Sequence, residues 1–262
     1  MALRLSGSAF ITGAGSGIGK STALAFARHG VTKLALLDLN RDRLDDTQKL
    51  LRSHHPEIDT IILEGDASIE STVQNSIELA ASKFERIDYA VNCAGINGPH
   101  VPSHELPLNE WQGVLDTNLT SVWLCQKYLI KQMLGQETRG VREGRGSIIN
   151  VSSMFGRVSP PGVIPITPYA TTKHAILGLT KADASTYGPL GIRINAICPG
   201  YVDTPMIQPV LQTGMLDPEF KSTPAGRVAM PEEISDAIIF LASPMASFMY
   251  GVALPVDGGY SL

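Results

Sequence analysis

A chain of 262 residues, 44% hydrophobic and 18% charged, is the size of one large domain around one core and carries too much apolar side chain to be disordered. A formal net charge of −4 excludes a binder of phosphate backbones, which needs a basic face, so no nucleic-acid partner is expected. The cysteines, Cys93, Cys125 and Cys198, are widely spaced, fit neither a disulfide framework nor a zinc pattern, and are expected to be reduced thiols. Residues 1–7 lack the apolar stretch of a signal peptide, and no apolar run approaches the ~18 residues of a membrane span. The expected location is the cytoplasm.

Residues 8–11 form a short apolar strand pattern that runs into Thr12-Gly13-Ala14-Gly15-Ser16-Gly17-Ile18-Gly19, and a helical pattern follows over 20–29. A glycine-rich turn between strand and helix suits phosphate, because missing side chains let backbone approach and the helix start offers unpaired N–H groups and a positive dipole end. The next strand, 33–37, ends in Asp38, at the distance where an acidic residue accepts a hydrogen bond from an adenosine ribose. That carboxylate favours NAD(H) over NADP(H), whose 2′-phosphate it would repel, although Arg41 and Arg43 follow closely.

The alternation continues with a strand at 60–63 reaching Asp66, a helix over 69–84 and a strand at 87–91 that meets Asn92-Cys93-Ala94-Gly95. Near-continuous apolar strands between amphipathic helices predict a single-domain α/β fold, a doubly wound parallel sheet of Rossmann type over residues 1–262. A helix over 108–133 carries Asn118 in its middle, where asparagine has no propensity reason to be, so it marks either a kink or a function. Residues 135–146 read as a solvated polar loop. A strand at 147–151 ends in Ser152-Ser153, and the prolines and glycines of 154–168 require a loop.

Tyr169 and Lys173 then open a helical segment that runs to 187, four residues apart and therefore on one face. A phenol gives up its proton poorly at neutral pH, and a neighbouring ammonium is placed to lower its pKa. A strand at 192–197 is ended by Pro199-Gly200, and 201–230 is too long for a plain connection and is expected to be a lid over the site. A helix over 232–241 and a strand at 252–256 complete the sheet. His100 and His104 stand four apart, but Pro102 denies them the helix of a zinc pair, and no metal is expected.

Taken together these motifs resemble the short-chain dehydrogenases/reductases over essentially the whole chain. Thr12-Gly13-x-x-x-Gly17-x-Gly19 looks like that family's cofactor motif, Asn92-x-Ala94-Gly95 its fourth-strand motif, and Asn118, Ser153, Tyr169 and Lys173 its catalytic tetrad. The resemblance implies that Tyr169 is the general acid/base, that Lys173 lowers its pKa and binds the nicotinamide ribose, that Ser153 orients the substrate oxygen, and that Asn118 holds a proton-relaying water. It implies cofactor contacts at Gly13, Ser16, Gly17, Ile18, Gly19, Asp38, Asp66, Ala67, Asn92, Ala94, Gly95, Pro199, Gly200, Val202 and Thr204, besides Tyr169 and Lys173. The interval from Ser153 to Tyr169 is a few residues longer than usual, which leaves Ser152 as an alternative serine. Thr172 and Cys93 replace the commoner serine and asparagine.

The expected activity is hydride transfer between NAD(H) and a secondary alcohol or its ketone. Met154, Phe155, Val158, Ile164, Tyr201, Met206 and Met215 suggest an apolar pocket for a cyclic or aromatic small molecule. An epimerase or lyase without net redox, or a non-catalytic nucleotide binder, are the alternatives on the same fold. The family also implies a homo-oligomer, a tetramer or dimer.

Overall fold

Strands form where apolar residues run without interruption, and the central runs, β1, β4, β5 and β6, are buried along their whole length. The computed structural model describes residues 4–262; Met1–Leu3, part of the 1–7 stretch expected above to carry no signal peptide, lie outside the described residues. The elements, in order, are β1 Ser8–Thr12, α1 Gly17–Arg28, β2 Lys33–Asp38, α2 Arg41–His54, β3 Asp59–Glu64, α3 Glu70–Phe84, β4 Tyr89–Asn92 and α4 Leu108–Leu115. They continue with α5 Ser121–Leu134, β5 Gly146–Val151, α6 Thr167–Tyr187, β6 Ile192–Pro199, α7 Gln208–Leu211, α8 Asp217–Lys221, α9 Pro231–Ala242 and β7 Ala253–Val256.

The seven strands make one all-parallel sheet in the order β3-β2-β1-β4-β5-β6-β7. Strand side chains alternate between its two faces. Ala9, Ile11, Leu34 and Leu36 join one core with Phe26 of α1 and Ile234 and Ile238 of α9. Phe10, Ala35 and Leu37 join the other with Ile77 of α3 and Leu129 of α5. The chain order reverses direction between β1 and β4, and in open α/β sheets the crevice above such a switch point takes the ligand.

Two local features differ from the sequence pattern. The predicted 108–133 helix is interrupted by a π-helical turn at Asp116–Thr120 that links α4 to α5 and carries the buried Asn118. A turn of this kind relieves a residue that fits an α-helix poorly and recurs at functional sites. Helix α6 begins at Thr167, ahead of the tyrosine, because Pro168 sits in its first turn, where a missing N–H costs no helical bond. The connection over 135–145 is mostly exposed, yet its arginines are anchored: Arg139 pairs with Asp88 at 3.1 Å and Arg142 donates to the Pro244 carbonyl at 2.7 Å. Arg193, an unexpected charge within β6, is buried and donates to the carbonyls of Leu241 and Ala242 at the end of α9 and of Ser243 and Ala246 just beyond it.

Candidate active site

The carboxyl ends of the strands border one cleft of about 340 Å³ that runs from Asp38 past Lys173 and Tyr169 to the 201–230 segment. At its first end, close approach depends on glycine. A Cβ on Gly19 would lie 2.1 Å from the Gly13 carbonyl oxygen, and Gly17 adopts a left-handed φ of 49°. Helix α1 starts from Ser16 with no side-chain cap and no acidic residue in its first turn. Its free N–H groups and dipole are therefore available to an anion. The Asp38 carboxylate is held by the N–H groups of Gly15 at 2.9 Å and Asn40 at 3.0 Å, and faces the cleft. Thr12 Oγ1 accepts from the N–H groups of Cys93 and Ala94 at 3.0 and 3.1 Å, which draws β4's end against β1's.

The middle of the cleft gathers the chemistry. Lys173 and Tyr169 stand on α6, and Lys173 Nζ lies 5.4 Å from the Tyr169 ring centroid. Lys173 is buried; the Val151 carbonyl, at 3.0 Å, is its one hydrogen-bond acceptor among the described residues, so the ammonium has donors to spare for a ligand's hydroxyls. Burial holds its pKa down at about 8. Burial pushes the Tyr169 phenol above its ordinary value, while the Ser153 hydroxyl beside it pulls the other way. In the chain alone, desolvation is the largest influence on the phenol. Cys93 also borders the cleft, but burial raises its thiol to about 12, which leaves it protonated and a poor nucleophile at neutral pH.

The two serines separate cleanly. Ser152 Oγ donates to the Lys173 carbonyl at 2.8 Å and is spent on fixing α6 against β5. Ser153 Oγ accepts from the Phe155 N–H at 3.1 Å, capping a short 3-10 turn at Met154–Gly156, and keeps its own proton to donate beside Tyr169.

Of the residues singled out in the sequence, Gly13, Ser16, Gly17, Ile18, Asp38, Asp66, Ala67, Ala94, Gly95, Ser153, Tyr169, Lys173, Pro199, Gly200, Val202 and Thr204 all line the cleft. Gly19, Asn92 and Asn118 do not. Gly19 acts by admitting the Gly13 carbonyl. Asn92 turns its amide to Asn150 at 2.8 Å, the start of a buried relay through Gln126 to Asp183. Asn118 clasps the backbone of Ile96, accepting from its N–H and donating to its carbonyl, both at 2.8 Å. It thereby places the loop after β4, of which Ile96 and Asn97 reach the cleft.

At the far end, Met154, Phe155, Ile164, Tyr201, Met206 and Met215 form an apolar wall as expected, whereas Val158 lies outside it. Ile166, Val210 and Leu216 join that wall, together with Asn97 and His100. Nothing in the local sequence distinguishes these additions from ordinary loop residues. Among the described residues, no three of His, Cys, Asp and Glu stand close enough to hold a metal ion. No helix of the described chain is long and apolar enough to cross a membrane.

Known proteins share this architecture from end to end. A family model described as Enoyl-(Acyl carrier protein) reductase matches residues 13–261. Short-chain dehydrogenase anuF of Penicillium roqueforti is 38% identical, the alignment covering 100% of this chain and 98% of that protein. Cyclohexanol dehydrogenase of an Acinetobacter species is 37% identical over 97% of this chain and 94% of its own length. The crystal structure of a short-chain type dehydrogenase/reductase from Mycobacterium marinum superposes with a TM-score of 0.90 at 31% identity, covering 99% of this chain and 98% of that one. Similarity of this extent, in sequence and in backbone, means that the chain belongs to the short-chain dehydrogenases/reductases and is an oxidoreductase of that family.

Proposed function

We propose that the protein interconverts a secondary alcohol and its ketone, on a small apolar cyclic or aromatic molecule, using NAD(H) in preference to NADP(H). The observation that carries this reading is the convergence of Ser153, Tyr169 and Lys173 on the middle of a cleft whose one end presents Asp38 beneath a glycine turn and whose other end is apolar. The similarity to cyclohexanol dehydrogenase supports a cyclic substrate.

When bound, the nicotinamide supplies or accepts the hydride. The chain's own groups handle the proton and the position. Tyr169, kept protonated at neutral pH by burial, donates its proton to a carbonyl oxygen as charge develops there. Ser153 donates a hydrogen bond to the same oxygen and orients it. Lys173, with donors left over after Val151, would hold the ribose hydroxyls, and the N–H groups at the start of α1 would receive the pyrophosphate. In the oxidative direction the deprotonated form of Tyr169 takes the alcohol proton instead.

Asp38 supports NAD(H), since its carboxylate accepts from a 2′-hydroxyl and repels a 2′-phosphate. Arg41 is engaged with Asp45 at 2.9 Å, which removes one of the two cations that would favour the phosphate; Arg43 still borders the cleft.

The test is NADH formation from NAD⁺ with cyclohexanol and related secondary alcohols. Tyr169→Phe should lower the rate by about 10²–10⁴-fold, with NADH affinity, read by fluorescence titration, little changed. A variant as fast as the parent would overturn the catalytic assignment. Equal use of NADP⁺ by the parent would overturn the cofactor preference.

A further inference from the structure

Tyr260 lies on the turn after β7, far in sequence from every residue assigned above, yet its ring belongs to the apolar cluster of Met154, Phe155 and Ile166 that walls the substrate end. It stands edge-on to Phe155 at 5.9 Å and to Tyr201 at 6.0 Å between ring centroids, and its hydroxyl donates to Glu219 Oε2 of α8 at 3.1 Å. We propose that Tyr260 is a positioning residue that latches the lid down over the substrate end of the cleft by pinning Glu219.

The lid has little else to hold it. Its root is a two-residue bridge in which Asp203 N–H donates to the Ala229 carbonyl and Ala229 N–H to the Tyr201 carbonyl, both at 2.9 Å. Beyond the root, α7 and α8 are four and five residues long, too short to persist without tertiary support. Between residues 203 and 228 only Thr204 and Leu216 are buried. A cavity of about 260 Å³, lined by Tyr201, Phe220, Ala225 and Asp257, lies between part of the lid's second half and the body. The ties to the body near the lid's two ends are Asn97 to the Met206 carbonyl at 3.2 Å, Ala225 N–H to the Gly258 carbonyl at 3.0 Å, and Arg227 to Glu233 of α9 at 2.6 Å. Among the described residues, Glu219 is the one residue between 207 and 224 that hydrogen-bonds the body.

The latch is itself rigid. Asp257 accepts from the Gly259 N–H at 3.0 Å and from the Ser261 N–H and hydroxyl at 3.2 and 2.6 Å, closing the turn that carries Tyr260. Gly258 and Gly259 both have left-handed φ, and a Cβ on either would come within 2.8 and 2.7 Å of Ala225 and Pro224. Glycine at both positions therefore lets the turn lie flat against the lid. One side chain thus touches Phe155 outside the lid with its ring and α8 within the lid with its hydroxyl. Breaking that contact would free Leu216, which the same lid segment lowers into the cleft.

The experiment is amide hydrogen exchange on the whole, cofactor-free protein, comparing residues 207–224 with α9 as an internal control. Tyr260→Phe keeps the ring and removes the hydroxyl; it should speed exchange over 207–224 by about tenfold while leaving α9 and the melting midpoint unchanged. Glu219→Ala should do the same, and the double variant should add nothing further. In turnover of a cyclic ketone, Tyr260→Phe should raise KM several-fold without lowering kcat. Exchange over 207–224 within twofold of the parent in Tyr260→Phe, or equal acceleration in α9, would overturn the latch. The kinetic arm alone rests on the proposed activity: a parent that turns over no alcohol or ketone would defeat that reading, while the exchange arm would still decide the latch.

Discussion

The glycine turn at the start of α1 and the lid at 201–230 border the same cleft and are built on opposite principles. In the turn, backbone packs on backbone: a single added methyl at Gly19 would meet the Gly13 carbonyl at 2.1 Å, and the strand beneath, β1, is fully buried. In the lid, two of the residues between 203 and 228 are buried, and hydrogen bonds near its ends with Tyr260 between them hold the rest. The first region is a fixed template in which the atoms exclude any alternative. The second is a cover held by a few contacts, which under the proposed function would open for exchange of substrate and product. Under the proposed function, the common group would bind at the rigid end and substrates would be selected at the adaptable one.

Perturbing the rigid end should have the largest effect. Gly19→Ala forces overlap that the packed strand cannot relieve, at a cost of about 3 kcal/mol or more, and NADH affinity by fluorescence titration should fall about 100-fold with a lowered melting midpoint. Affinity within threefold of the parent would show that the turn is softer than its packing implies. Next, Ser153→Ala should lower kcat/KM by about 10²-fold by removing a donor to the substrate oxygen. Ser152→Ala, which loses only the bond to the Lys173 carbonyl, should instead cost about 1 kcal/mol of stability with far less effect on rate. Reversed results would exchange the serines' roles.

The third prediction concerns pH. Burial raises the Tyr169 phenol above its ordinary value, so the acid needed for ketone reduction is fully present at neutral pH and is lost only as pH climbs through that raised value. The base needed for alcohol oxidation is scarce at neutral pH and grows with it, so the oxidation rate should rise between pH 7 and 10 by up to about tenfold per unit while reduction stays flat. An oxidation rate level from pH 7 upward would mean that the occupied cleft overrides desolvation. The smallest effect should come from the lid: Leu216→Ala, trimming one buried contact, should raise KM about fivefold and leave NADH affinity unchanged. A matching loss of NADH affinity would join the two regions into one unit and erase the contrast.

Much of the rigid end was legible in the sequence, because its requirements are local. Thr12 to Gly19 follow one another on a strand, a turn and a helix start, and Asp38 ends the neighbouring strand, so spacing along the chain fixes spacing in space. Tyr169 and Lys173 were equally legible, one helical turn apart on α6. Asn118 could be flagged as out of place in a helix, but its partner, the backbone of Ile96, could not be named, because the π-helical turn that buries it forms only against the loop after β4. Asn92 lies in a recognisable motif, yet its side chain serves a relay through Asn150, Gln126 and Asp183 drawn from three other elements.

Sequence by itself determined the alternation of strand and helix, the parallel sheet, the glycine turn and the residue types of the proposed catalytic trio, since hydrophobic period, glycine sterics and helical spacing act over a few residues at a time. Tertiary structure alone decided which of two adjacent serines stands beside the phenol, that burial raises the phenol's pKa, that Leu216 lines the cleft and that Tyr260 packs against its aromatic wall. Those outcomes depend on desolvation and on contacts between segments far apart in the chain, and both exist only once the layers have packed.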